Sequence, residues 1–133
     1  MTDEDDRAKA IRNVEDTLVR HPDIAALVGL WSYNGPAILQ GVSDAGKLGQ
    51  VKIIAFDEEV PTLQGIKDGH IAGTIVQQPF EFGYQCVKLL VELADGDRSG
   101  VPEGKQIFVP VKTITQDNLD EFWATLNEQL GKS

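Results

Sequence analysis

The sequence predicts an α/β fold with three layers, α/β/α, around a mainly parallel sheet. Three observations lead there. Stretches of helical period alternate with short, β-branched apolar runs from end to end. Those runs lack the polar alternation of a half-solvated sheet, as parallel strands covered on both faces by right-handed crossovers would. No repeat, low-complexity tract or linker interrupts the pattern, so residues 1–133 read as one domain.

The first helix reads over 3–20. Ile11, Val14 and Leu18 recur on one face, acidic residues crowd the first turn where the helix dipole favours them, and Pro22 stops it. A strand follows over 24–31. Asn34-Gly35-Pro36 then has the form of an N-cap with proline in the first turn, opening a helix striped by Ile38, Leu39, Val42 and Ala45 and ended by Gly46. The next strand spans 51–56. Pro61 opens a short helix through Leu63 and Ile66 to Gly69, and a third strand occupies 71–76. Pro79 begins a long helix to about Ala94, with Phe80, Tyr84, Val87, Leu90 and Val91 on a broad apolar face. A fourth strand over 107–115 is interrupted by Pro110. Asp117 or Asn118 caps a last helix carrying Leu119, Phe122, Trp123, Leu126 and Leu130. The order is α-β-α-β-α-β-α-β-α, although such units ordinarily open with a strand.

Composition narrows the function classes. A hydrophobic content of 41% can build one core that buries roughly two-thirds of the unfolded surface. Twelve Lys and Arg against 21 Asp and Glu give a formal net charge of -9, which repels a phosphate backbone, so no nucleic acid partner is expected. Apolar runs such as 24–30 fall far short of the ~20 residues that cross a bilayer. The start Met1-Thr2-Asp3-Glu4-Asp5-Asp6 is the reverse of a basic export signal, so the chain as given is expected to be soluble and cytoplasmic when expressed. Cys86 has no partner for an internal disulfide and reads as a small buried hydrophobe in its helix.

In an open parallel sheet, ligands bind beyond the carboxyl ends of the strands. The first polar residues there are Asn34, Asp57 and Gln77, from three successive strands. A carboxylate that accepts from paired hydroxyls, with two amides that both donate and accept, is hydroxyl-recognition chemistry and suits a sugar. Taken singly, each has a plainer role: Asn34 and Asp57 as N-caps, Gln77 facing water. Trp31 and Tyr33 flank the same strand end and, by strand alternation, point to one side, where either ring can cover a sugar face. Tyr33 is the stronger candidate because it adjoins Asn34, and core packing is the competing role of Trp31. Trp123 reads as core or interface packing.

Other signals close quickly. Gly41 to Lys47 has G-x-x-x-x-G-K spacing, but Leu48 stands where a phosphate-binding loop needs Ser or Thr, and the run ends a helix. Asp57 with Pro61 mimics a phospho-acceptor strand end, without the acidic pair and the later lysine that such a site requires. His21, His70 and Cys86 are scattered, and no nucleophile has a base beside it, so no cofactor, metal or catalytic activity is expected. Glu58-Glu59 reads as solvated surface.

The segments Gly29-Leu30-Trp31-Ser32-Tyr33-Asn34, Ile53-Ile54-Ala55-Phe56-Asp57, Ile66-Lys67-Asp68-Gly69 and Gly73-Thr74-Ile75-Val76-Gln77-Gln78-Pro79 together resemble the C-terminal half of ribose-binding-protein-like periplasmic sugar-binding proteins of ABC transporters. These share their fold with the effector domains of lac-repressor-type regulators. The resemblance covers roughly residues 3–117. It implies that Asn34, Asp57 and Gln77 contact a bound sugar, that the full-length protein is periplasmic and delivers to an ABC transporter permease, and that this chain is the C-terminal lobe without the N-terminal one. The alternative it leaves is the effector-binding core of a transcription regulator. By family topology, 79–94 and 107–109 belong to the first lobe. Here they are expected either to fold onto the chain's own sheet as a flavodoxin-like half or to pair with a second copy in a domain-swapped homodimer.

Overall fold

The computed structural model describes residues 2–132. Helix α1 spans Arg7–Arg20. It starts four residues later than its periodicity predicts, because the acidic residues precede the helix instead of forming its first turn. Glu4 and Asp5 turn the chain with positive φ of 55° and 60°. The Asp6 carboxylate then caps the helix by accepting from the Lys9 N–H at 2.9 Å. The buried face is Ala10, Val14 and Leu18, with Ile11 only partly covered.

Strand β1 is Ala26–Val28 and helix α2 is Asn34–Asp44. The strand is shorter than the apolar run because Gly29 makes the last sheet bond, N–H to the Ile54 carbonyl, and the chain then turns through Trp31 to Asn34. Leu30 and Trp31 therefore leave the sheet. Strand β2 is Lys52–Phe56, α3 is Val60–Lys67 and β3 is Gly73–Val76. Gly46 and Gly69, at φ of 65° and 77°, end their helices in the left-handed region where a Cβ would be strained.

Strands β1, β2 and β3 are parallel and adjacent, with Val28 opposite Ile54 and Ile54 opposite Gly73. Strand β4, Lys112–Ile114, completes the order β1-β2-β3-β4. Along β2 burial alternates, Ile53 and Ala55 inward, Lys52 and Ile54 outward. The expected cover on both faces is thus not met at the first two strands, where Val28 is 54% and Ile54 38% exposed. The cause is topological. A strand order that never reverses, joined by right-handed crossovers, delivers α2 and α3 to the same face. On that face Val14, Leu18, Ile38, Val42, Ile53, Leu63, Ile66 and Ile71 form the core, joined by Ile114 and Leu119. The last helix, α5, is Leu119–Gln129; Phe122 and Trp123 pack partly buried against the core, the role foreseen for Trp123. Asn118 stands at its N-cap, but its side chain folds back, accepting from the Thr115 N–H and donating to the Thr113 carbonyl.

The described residues up to Val76 and from Thr113 onward form one unit, and Gln77–Lys112 form a second. The second holds α4, Pro79–Ala94, on its predicted bounds. No residue of α4 is buried, so the apolar face expected to be covered stays open, and Cys86 is exposed rather than buried. Of the strand expected over 107–115 only β4 forms; Pro110 lacks an N–H, and its carbonyl instead accepts from Gln78 Nε2 at 2.6 Å.

Candidate functional site

Parallel β1 and β2 end side by side, and the residues following them sit at one edge of the sheet. After β1, the turn places Tyr33 at the N-cap of α2 and Asn34 as its first helical residue, not as the cap itself. The amide is oriented from both ends. Asn34 Oδ1 accepts from the Trp31 N–H at 3.4 Å, and Nδ2 donates to Asp3 Oδ2 at 2.9 Å. A carboxylate can only accept and an N–H can only donate, so these two neighbours fix which end of the amide is which. Gly29 makes this approach achievable, since a Cβ there would lie 2.7 Å from Asn34 Cβ.

Asp57 follows β2 with φ of 63°, a left-handed conformation that Asp adopts more readily than most residues. Its N–H donates to the Ile75 carbonyl at 2.9 Å, and its carbonyl accepts from the Thr74 hydroxyl at 2.7 Å. With the backbone locked twice, the carboxylate is left with no hydrogen bond among the described residues and is presented at the strand end. Beside it Glu58 is partly buried, and its carboxyl is pushed up by burial, then by the Asp57 charge.

Three charged residues that the sequence reading did not select, Arg7, Glu59 and Asp3, tie these loops together. Arg7 grips Glu59 with both guanidinium ends, at 2.8 and 3.1 Å, and lies over the Tyr33 ring at 5.5 Å. Ser32 donates to the same Glu59 at 3.1 Å. The carboxyl of Glu59 is held below its ordinary range chiefly by Arg7, whose own pKa rises in turn. Glu59 therefore links α1, the turn after β1 and the turn after β2, in place of the solvated surface expected of it. The third, Asp3, accepts from Tyr33 OH at 2.6 Å and from Asn34. Its carboxyl is lowered mainly by the phenol, and the Tyr33 phenol is raised to about 12 mainly by Asp3. The only sequence signal for Asp3 was an acidic run before a helix, which has an ordinary explanation in the dipole.

The aromatic expectation changes accordingly. Alternation does not apply to Trp31 and Tyr33, which lie beyond the strand. Trp31 is not core; the residue is 65% exposed and borders an open cavity of about 550 Å³ shared with Asp3, Glu4, Leu30 and Asn34. Tyr33, the preferred stacking candidate, has its hydroxyl engaged by Asp3. Asn34, Trp31 and Tyr33 are thus brought together, and Asp57 stands at the end of the neighbouring strand. Gln77 is the residue directly after β3, exposed, and the first of the second unit. Among the described residues no group of three or more His, Cys, Asp or Glu side chains is arranged to hold a metal ion, and no helix is long and apolar enough to cross a membrane.

Residues 1–98 match the family described as periplasmic binding protein domain. The ribose import binding protein RbsB of Bacillus subtilis is 33% identical over 111 residues, 84% of this chain and 34% of that protein. The D-allose-binding periplasmic protein of Escherichia coli is 30% identical over 95 residues, 71% of this chain and 30% of that protein. Among solved structures, GanP, a glucose-galactose binding protein from Geobacillus stearothermophilus, aligns with a TM-score of 0.78 at 28% identity, covering 88% of this chain and 40% of its own. An ABC transporter solute-binding protein from Burkholderia graminis, in complex with D-arabinose, gives 0.76 at 32% identity, covering 90% and 41%. The chain spans about a third of the length of these two curated relatives.

Proposed function

The chain belongs to the periplasmic binding protein domain family, and from that premise we propose that it forms part of a sugar-binding site serving an ABC import system. The observation that carries the reading is the placement of Asn34 and Asp57 beyond the ends of adjacent parallel strands, an amide oriented at both ends and a residue of locked backbone whose carboxylate has no hydrogen bond among the described residues. Together they can donate to and accept from neighbouring hydroxyls, and Trp31 offers an exposed apolar ring for the carbon face of a sugar. Gln77, matched to the family pattern, is the third candidate polar residue and directly follows β3. The protein binds and does not catalyse, and the whole protein works in the periplasm with a permease as partner. Relatives whose names state ribose import and allose binding support this over an effector core of a regulator.

The opposite wall of the site comes from a region outside these residues and closes over the sugar by hinge motion. This wall alone therefore binds weakly, with a Kd on the order of 1 mM or above, since most contacts and all enclosure are lacking. The test is a titration of ¹⁵N-labelled chain with D-ribose and D-allose, followed by NMR. The expected result is saturable movement of the Asn34 side-chain amide, the Trp31 indole and the Asp57 backbone amide, lost in Asp57→Ala. Sugar-independent spectra, or shifts scattered away from the strand ends, would overturn the reading.

A further inference from the structure

Asp3 stands outside every segment that led to the sugar reading, yet its carboxylate is the nearest polar partner of Asn34. Its three contacts divide unequally. Among the described residues, Oδ1 accepts from Tyr33 OH at 2.6 Å and from the Asp5 N–H at 3.2 Å, whereas Oδ2 accepts only from Asn34 Nδ2 at 2.9 Å. Each carboxylate oxygen has two acceptor positions. Oδ1 is filled and Oδ2 keeps one, while Asn34 Nδ2 keeps its second hydrogen. An open acceptor and an open donor therefore stand 2.9 Å apart on the wall of the cavity that Trp31 also borders. A hydroxyl can satisfy both at once with a single oxygen, donating to Oδ2 and accepting from Nδ2.

We propose that Asp3 is a further ligand-binding residue, forming with Asn34 a donor–acceptor pair that takes one hydroxyl of the sugar. The proposal rests on the sugar reading above and adds to it a carboxylate on the β1 side of the site, facing a different hydroxyl from that of Asp57. The setting keeps Asp3 ionised and therefore purely an acceptor, since the Tyr33 phenol holds its carboxyl below the ordinary range. Glu4 and Asp5 add negative charge nearby. Lys9 is paired with Glu4, and Arg7 with Glu59, so neither cation is spent on Asp3.

Asp3→Asn tests it, because the amide keeps the shape and removes the charged acceptor. Two readouts are taken on the full chain. The first is the contact itself: the Tyr33 phenol, at about 12 beside Asp3, is expected to fall towards its ordinary value of 10 in the variant, and the Asn34 side-chain amide resonance moves. The second is the NMR titration with D-ribose, where the variant is expected to bind about tenfold weaker or worse, the scale of a hydrogen bond to a charged group. Unchanged Tyr33 and Asn34 signals overturn the proposal at its geometry. Equal or tighter ribose binding by the variant overturns it too, and shows Asp3 to be a spectator or a competitor while the sugar reading stands. If neither protein binds ribose or allose although the Tyr33 shift is present, the sugar reading itself falls, and the role of Asp3 with it.

Discussion

Replacing Gly29 by alanine isolates the packing that positions Asn34. A Cβ at residue 29 would lie 2.7 Å from Asn34 Cβ, 3.0 Å from the Asn34 carbonyl carbon and 3.0 Å from Ile38 Cδ1. Carbon atoms rest about 3.5–4.0 Å apart, so the first turn of α2 must retreat by about 1 Å. The Ile38 side chain can rotate, but Asn34 Cβ and carbonyl carbon belong to the helix start and cannot yield separately. Overpacking of this kind costs about 1–3 kcal/mol, and the loss of glycine freedom in the unfolded chain returns about 0.4–1 kcal/mol. The clash wins, leaving a net loss of about 0.5–2 kcal/mol. The assay is urea unfolding, with the midpoint lowered and the slope m unchanged, joined to NMR of the Asn34 side-chain amide. A retreat of 1 Å stretches the 2.9 Å bond to Asp3, so that resonance moves as well. A variant as stable as the parent with its Asn34 resonance in place would refute the claim that Gly29 sets the position of the site.

Gly83→Ala serves as the opposite case: it lies inside α4 with open space around its Cβ position, so the same substitution is expected to raise stability by up to about 1 kcal/mol in the same urea assay. The Arg7–Glu59 pair gives a pH dependence whose sign follows from Glu59. Its folded-state pKa is depressed, so its contribution is present above the ordinary carboxylate range and is lost as pH falls below about 4; unfolding midpoints measured between neutral and acid pH should fall more steeply for the parent than for Glu59→Gln. On α4, Phe80, Tyr84, Val87 and Val91 repeat at four-three spacing and are each more than half exposed, the pattern of a self-complementary helix seam. Light scattering across a concentration series should show a dimer that Val87→Glu dissociates, and a monomer at all concentrations would rule out a second copy as the cover for this face.

The secondary structure was largely legible because helix signals are local. Pro79, Pro61 and the glycines after the second and third helices mark ends that hold in the structure within a residue or two. The strands were overextended because an apolar run records burial, not pairing: Leu30 and Trp31 continue the run after β1 but belong to a turn. The residues 107–109 likewise have β-branched and aromatic character without a ladder to join. In the candidate site, the position of Asn34 and Asp57 beyond the carboxyl ends of β1 and β2 was readable from one rule, that the edge where parallel strands end is where polar residues are to be sought. Asp3, Arg7 and Glu59 were not. Their hydrogen-bond partners in the neighbouring loops are 27 to 52 positions away in sequence, for example Arg7 with Glu59 and Asp3 with Asn34, and a charged residue near a helix start carries the same local signature whether it caps, pairs or recognises. The open face of β1 and β2 was missed for a related reason. Apolar character on both sides of a strand says that both sides want cover, whereas the unreversed order of the strands decides which side these helices can reach.

The same geometry bears on how a single wall of a site is organised. Asn34 is held at both ends of its amide and needs no ordering by a ligand, whereas at Asp57 the backbone is held by its N–H and its carbonyl and the carboxylate still has to be oriented. The entropic cost that weakens most shallow sites, freezing mobile polar side chains, is therefore small at Asn34 and falls on Asp57. Weak binding at Asn34 would then come from solvent exposure of the contacts, since a hydrogen bond open to water nets only about 0.5–1.5 kcal/mol. Enclosure and rigidity separate experimentally. Loosening the wall with Gly29→Ala should weaken sugar binding through Asn34 alone and leave the Asp57 shifts intact, whereas covering the wall with a second surface should strengthen both contacts together.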